Sequence, residues 1–285
     1  AFHYTAVKFA ELVQEKTDGR VKVEIFPAGQ LGAIRDTIDG LRLGTIQIVL
    51  DTPSRLEVYN SLGSIFNVPY LIRGRAHGER VWNGKVGREI FDELSQKTGI
   101  RVIAMSWRGA RQLTVKKPVY TPDDLAGLKI RVSPTEMPLN TWKALGASPI
   151  PMDFNEVYLA LQQGTIDGQE NPMTTNYTSS FFEVCDYLVL TEHVKNFGGF
   201  MMGRDYYQKL PDDIKKAIDE AGLEASIFMG DLVDEKEADY IQGFKDAGAT
   251  VIEPDLSTFQ DKLGDFVKKY YPDLESYCNK IKAVK

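Results

Sequence analysis

The chain has 285 residues, 43% of them hydrophobic and 26% charged, with a formal net charge of -6. This is the composition of a globular protein with one large domain or two lobes, not of a disordered chain or a solenoid. The acidic balance speaks against a nucleic-acid partner, whose affinity comes mostly from basic groups neutralising phosphates, but not against a small anion held by a few arginines in a cleft. No run reaches the ~20 apolar residues that a helix needs to cross a bilayer.

In chain order, "AFHYTAVKFAELVQEKTDG" starts at once with helical periodicity through Ala6, Val7, Phe9, Ala10, Leu12 and Val13. A signal peptide and a first strand are expected to lie upstream of residue 1, the signal peptide having been removed. "GRVKVEIFPAGQLG" then reads as a strand and a Pro-Gly turn, followed by a helix and the strand "TIQIVL". The same order recurs in "GLKIRVSPTEMP", "WKALGASPIPMD" and "EVYLALQQGTIDGQEN". "LRLGTIQ" (residues 41–47) and "LQQGTID" (residues 161–167) are its sharpest pair, each a helix end that meets Gly-Thr-Ile and becomes a strand, so two related α/β units are predicted. Between them the strand "IRVIAMS" precedes "WRGAR". Helix starts are marked by Thr121 with Pro122, by Asp153 with Glu156 at capping-box spacing, and by Pro211 with two acids behind it. Residues 211–247 hold a helical pattern without a proline, enough for a helix of ~50 Å that crosses two lobes, and shorter helices follow.

Two cysteines, Cys185 and Cys278, exclude a disulfide-rich scaffold and leave one disulfide or two buried thiols open. His3, His77 and His193 lie far apart, and neither a metal nor a cofactor is expected. In open α/β sheets ligands sit beyond the carboxyl ends of strands. That rule selects Asp51 and Thr52 after "TIQIVL", Arg131 and Ser133 after "LKIRV", Glu170 and Asn171 after "TIDGQ", and Trp107 to Arg111 after "IRVIAMS". Each also fits a structural role. Arg131 alternates with Ile130 and Val132 and suits an outward, solvated position; Arg108 and Arg111 suit surface ion pairs; Asn171 before Pro172 suits a helix N-cap; Glu170 suits an arginine partner; Trp107 suits a core. An enzyme using Glu170 or Asp51 as base would need a nucleophile or cofactor beside it, and the chain has no phosphate loop, dinucleotide fingerprint, metal cluster or nucleophile elbow.

"FPAGQLG", "GLKIRV", "ALGASPIPMDFNEVYLALQQGTIDGQENP" and "FFEVCDYLVLTEHV" resemble the solute-binding proteins of TRAP transporters, the tripartite ATP-independent periplasmic systems, over nearly the whole chain. The resemblance implies a two-lobed α/β periplasmic-binding-protein fold, type II-like, with hinge crossovers and a long helix spanning both lobes. Lobe I would comprise residues 1–108 and 197–236, and lobe II residues 109–196 and 237–285. It implies a monomeric, non-enzymatic periplasmic receptor that closes around a small organic acid and delivers it to a membrane permease. By the same resemblance Arg131 of "GLKIRV" is the main carboxylate clamp, Arg111 of "RGAR" its companion and Asn171 of "GQENP" a further contact. Asp51, Gln30, Glu170 and Trp107 complete the expected ligand-binding set. A hexuronate or other sugar acid is the first expectation, and a C4-dicarboxylate or a short hydroxy or keto acid the second. A binding protein of an ABC importer and a ligand sensor share the same lobes and cleft. Two segments depart from the family's pattern: "WRGAR" replaces its commoner aromatic and glycine arrangement, and "NFGGFMMGR" is glycine-rich where the family lines its pocket.

Overall fold

The computed structural model describes residues 2–285. Its first helix, α1 (Phe2–Lys16), forms where the periodicity placed it and buries Phe9, Leu12 and Val13. The expected strand after it does not form. Residues 21–27 run extended, with Val21, Val23 and Ile25 half-buried and Lys22, Glu24 and Phe26 exposed, but no neighbouring strand pairs with them. Alternation makes a chain extended; only a second backbone edge makes it a strand. A cavity of 840 Å³ separates this segment from the next strand, with Val23 and Ile25 on one wall and Ile48 and Leu50 on the other.

Helix α2 (Ile34–Leu43), strand β1 (Ile48–Asp51), helices α3 (Arg75–Trp82) and α4 (Lys85–Thr98) and strand β2 (Ile100–Val115) follow. The second unit supplies β3 (Lys129–Val132), α5 (Glu136–Leu145), β4 (Ser148–Pro151), α6 (Val157–Gln163), β5 (Gly168–Pro172), α7 (Met173–Thr178) and β6 (Tyr187–Val189). The chain returns in β7 (Lys195–Gly203) and α8 (Arg204–Lys209), crosses the molecule in α9 (Asp212–Asp246), and ends in β8 (Thr250–Ile252), α10 (Leu256–Leu263), α11 (Phe266–Tyr270) and α12 (Glu275–Ala283). The echoed Gly-Thr-Ile motifs end α2 and α6 alike: Gly44 and Gly164 take φ of +77° and +74°, the left-handed cap that a residue without Cβ adopts cheaply.

The strands run β1-β7-β2-β5-β3-β4, with β6 joining β2 to β8. Strand β2 holds two sheets together. From Ile100 to Ala110 it pairs antiparallel with β7, which carries β1; from Arg111 to Val115 it pairs with β5. The second sheet adds the parallel pairs β3 with β4, β3 with β5 and β6 with β8. The expectation that "WRGAR" follows a strand is therefore corrected. β2 stays a strand for 16 residues, absorbing irregularities between Val102 and Ala104 and between Trp107 and Gly109, so Arg111 lies within the strand where it changes sheets.

Helix α9 has 35 residues, a length of ~52 Å at ~1.5 Å per residue, as its uninterrupted pattern predicts. Its first half packs Ile214, Ile218 and Ala221 against Phe9 of α1 and Phe200 of β7, and its far end packs Phe244 against Met173 and Leu188. One rigid element thus touches both sheets. The C-terminal helix α12 packs on α3 and α4. Tyr277 donates to Glu93 at 2.5 Å, Lys280 pairs with Glu89 at 3.0 Å, and Arg73 donates to the carbonyls of Lys282 and Val284.

Candidate functional site

Every residue of β5 is buried, because β2 and β3 flank it on both sides. Opposite it in register, Arg111 faces Pro172 and Leu113 faces Glu170, so Arg111 and Glu170 share one face as diagonal neighbours. Arg111 donates through Nε to Glu170 Oε2 and through Nη2 to Oε1 at 2.9 Å, to the Glu170 carbonyl at 2.7 Å and to Asn171 Oδ1 at 3.2 Å. His193 donates from Nε2 to Glu170 Oε2 at 2.9 Å, since an ionised carboxylate only accepts, and its Nδ1 shares a hydrogen bond of 2.8 Å with Thr191 Oγ1. Burial by itself would raise the Glu170 carboxyl, but the Arg111 charge and the hydrogen bonds from His193 and Arg111 outweigh it and hold it down at about 2. Burial pushes His193 below the usual histidine range despite the carboxylate beside it.

Asn171 belongs to an amide ladder on the other face. It donates to Gln169 Oε1 at 2.6 Å, Gln169 donates to Thr114 Oγ1 and Asn176 Oδ1, and Asn176 donates back to the Asn171 carbonyl at 2.9 Å. It is not the N-cap of α7, which starts at Met173 with Pro172 in the cap position. Arg131 is not solvated either. Its strand lies between β4 and β5, and it is 2% exposed. Nε and Nη2 both donate to the Met152 carbonyl, at 2.9 and 2.6 Å, and Nη1 has no protein acceptor among the described residues. Burial lowers Arg131 to about 10, with the Glu170 charge opposing and those of Arg111 and Arg55 adding to the fall.

In the other sheet, Asp51 ends β1, accepts from the Thr52 N–H at 2.7 Å and faces Arg55 Nε at 3.4 Å. Arg108, read from sequence as a surface ion-pair residue, is partly buried and makes no ion pair among the described residues. Nη1 donates to Thr52 Oγ1 at 3.1 Å and Asn196 Oδ1 at 3.3 Å, Nη2 to Thr175 Oγ1 at 3.4 Å, and the guanidinium lies 4.2 Å over the Phe2 ring. The expected ligand-binding set held neither Arg55, four residues beyond Asp51, nor Arg108, although the strand-end rule selects the segment Trp107 to Arg111 in which Arg108 lies. Arg55, Arg108, Arg111 and Arg131 form one electrostatically linked cluster.

Two expected residues stand outside it. Trp107 donates from Nε1 to Asp234 of α9 at 2.7 Å and packs on Phe197, a core position. Gln30 is exposed in the turn at residues 27–32, and no hydrogen bond ties it to the cluster. Both cysteines are buried and free; burial pushes Cys185 up to about 12 and Cys278 up to about 11, so neither is a thiolate or half of a disulfide. No group of three or more His, Cys, Asp or Glu among the described residues is arranged to hold a metal ion.

Two sheets that share a strand, a helix bracing both and buried guanidinium groups at the junction define a two-lobed α/β solute receptor. Residues 1–273 match the family described as bacterial extracellular solute-binding protein, family 7 (DctP). The chain belongs to that family, the periplasmic solute-binding proteins of TRAP transporters. It is similar to a solute-binding protein of Roseobacter denitrificans, 36% identical over 94% of this chain and 82% of the relative. It also resembles the 2,3-diketo-L-gulonate-binding periplasmic protein of Escherichia coli, 35% identical over 99% of this chain and 87% of the relative. A crystal structure of a TRAP periplasmic solute-binding protein from Roseobacter denitrificans with bound L-galactonate superposes with a TM-score of 0.92 at 34% identity, covering 98% of this chain and 93% of that one. Another from the same organism, with bound beta-D-glucuronate, gives 0.94 at 30% identity, covering 99% and 95%.

Proposed function

We propose that this TRAP receptor takes a sugar acid as its solute, holds the carboxylate on Arg131 with Arg111 beside it, and hands the solute to the membrane permease. The observation that carries this reading is the Arg131 guanidinium: buried, fixed on one edge by Met152, and with Nη1 unspent. A planar fork held in that way offers parallel N–H donors to a carboxylate, and water excluded by closing lobes strengthens the pair. Glu170 orients Arg111 from behind rather than touching solute, since both of its carboxylate oxygens already accept hydrogen bonds. The same bonds hold its carboxyl at about 2, too weakly basic to take a proton from a substrate, which supports a receptor over an enzyme using Glu170 as base. The likeness to chains that hold galactonate and glucuronate supports the polyhydroxylated class.

A thermal-shift screen followed by calorimetry tests it. L-galactonate, D-glucuronate and D-galacturonate are compared with the neutral sugars galactose and glucose; a bound solute adds about 2.7 kcal/mol of stability at ~100 times its Kd. Stabilisation by acids and not by neutral sugars is expected. Equal stabilisation by a neutral sugar, or none by any acid, overturns the reading.

A further inference from the structure

We propose that Arg108 is a second anion-binding station, and that the preferred solute is a sugar diacid with one carboxylate on Arg131 and the other on Arg108. The proposal rests on the sugar-acid reading and adds the second acidic end. Charge counting leads to it. Of the four clustered arginines, Arg111 is paired with Glu170 and Arg55 with Asp51. Arg108 and Arg131 have no carboxylate within salt-bridge distance among the described residues; their partners are two threonine hydroxyls, an asparagine amide and a backbone carbonyl. Asp153, the carboxylate that acts most weakly on Arg131, is exposed and makes no ion pair with it. Asp51 acts on Arg108 and Glu170 on Arg131 only from beyond salt-bridge distance, each being paired with another arginine, so two positive charges of the cluster have no carboxylate of their own, and a buried charge is costly until it is paired.

The two charges lie at separate ends. Arg131 stands on β3 level with Gln169 of β5, which in turn pairs with Thr114 of β2, so its backbone is two strands, ~10 Å, across the sheet from β2 and six residues along that strand from Arg108. A single carboxylate therefore does not serve both. The hydrogen bonds that hold Arg108, 3.1 to 3.4 Å long, exceed the ~2.7–2.9 Å of a charge-assisted pair, so its donors are free to turn to a better acceptor. Beside it, fully buried Asn196 keeps Nδ2 without an acceptor. The fold also makes room for this arginine. A Cβ on Gly198 would stand 2.8 Å from Phe2 Cε1 and 2.9 Å from Arg108 Cδ, so the glycine pair of "NFGGF" clears the space that Arg108 of "WRGAR" fills. The two departures from the family's pattern are one arrangement.

Calorimetry on the full chain with matched pairs tests the proposal: D-glucuronate against D-glucarate, and D-galacturonate against galactarate. The wild type should bind each diacid at least ~10-fold more tightly than its monoacid, and Arg108→Gln should remove that preference, bringing the two affinities to within ~3-fold of each other. Arg108→Lys, which keeps the charge and loses the fork, should fall between. Equal wild-type affinity for the paired acids overturns the proposal and needs no variant. Equal weakening of both acids by Arg108→Gln also overturns it, because it makes Arg108 a staple between Thr52 and Thr175. If monoacids bind and diacids do not, the sugar-acid reading stands and the second station falls; if neither binds, the reading beneath it falls too.

Discussion

Arg111 and Arg108 leave the same strand three residues apart and meet different surroundings. Arg111 sits where β2 pairs with β5, and that register sets Glu170 diagonally against it, backed by His193 and Thr191. Arg108 sits one step earlier, where β2 still pairs with β7, and the strand opposite offers Asn196 and a glycine instead of an acid. The first guanidinium is neutralised and anchored from within the protein; the second is held loosely by neutral groups. Such a site separates structure from recognition. On the proposed reading the compensated pair keeps the junction in shape, while the uncompensated charges supply affinity for an anion.

The largest effect should come from breaking the compensated pair. Glu170→Gln leaves Arg111 enclosed without its counter-ion and should cost about 3 to 5 kcal/mol in urea unfolding; a loss below ~1 kcal/mol would show that the pair does not organise the junction. Arg131→Lys should do the converse, weakening sugar-acid binding by about 2 to 5 kcal/mol with little change in unfolding midpoint. Near-normal affinity in calorimetry would remove Arg131 from the clamp.

Acid should erode the compensated side first. Glu170 is ionised in the folded chain down to about 2 and in the unfolded chain only down to ~4.3, so its stabilisation is whole above ~4.3 and drains away as pH falls towards the folded value. His193, also lowered in the folded chain, takes its proton more readily when unfolded, and adds a loss in the same direction below ~6.5. Unfolding free energies at a series of pH values should show the gap between wild type and Glu170→Gln narrowing below ~4.3. A gap that stays constant to pH ~3 would contradict the assignment. The smallest effect is expected at Trp107. Trp107→Phe loses the bond to the half-exposed Asp234, about 1 kcal/mol of stability, and should leave solute affinity within ~2-fold. A tenfold loss of affinity would place the indole in the cleft after all.

Much of the frame is legible in the residues. The proline-free run after Pro211 gave α9 nearly to its ends, and the paired Gly-Thr-Ile motifs marked two helix ends that take the same cap. Asp51 ends β1, and Arg131 and Asn171 stand one residue from the ends of β3 and β5, where the rule for open sheets looks for them, but Glu170 lies in the middle of β5, because that strand runs on to Pro172. Residues 21–27 show where reading stops: the alternation was right and the strand absent, because pairing needs an edge that no local pattern supplies. Trp107 shows it again, since its indole is spent on a helix more than a hundred residues away.

What the sequence determined by itself is whatever depends on near neighbours: helix periods, caps, turns and the order of the elements. Tertiary structure alone decided which arginine met an acid, that Arg131 is enclosed between two neighbouring strands, and that α12 returns to α3 and α4. Those outcomes depend on which distant backbone lies alongside. Register along β2 changes partner between Ala110 and Arg111, and the charge balance of the site follows from that one step.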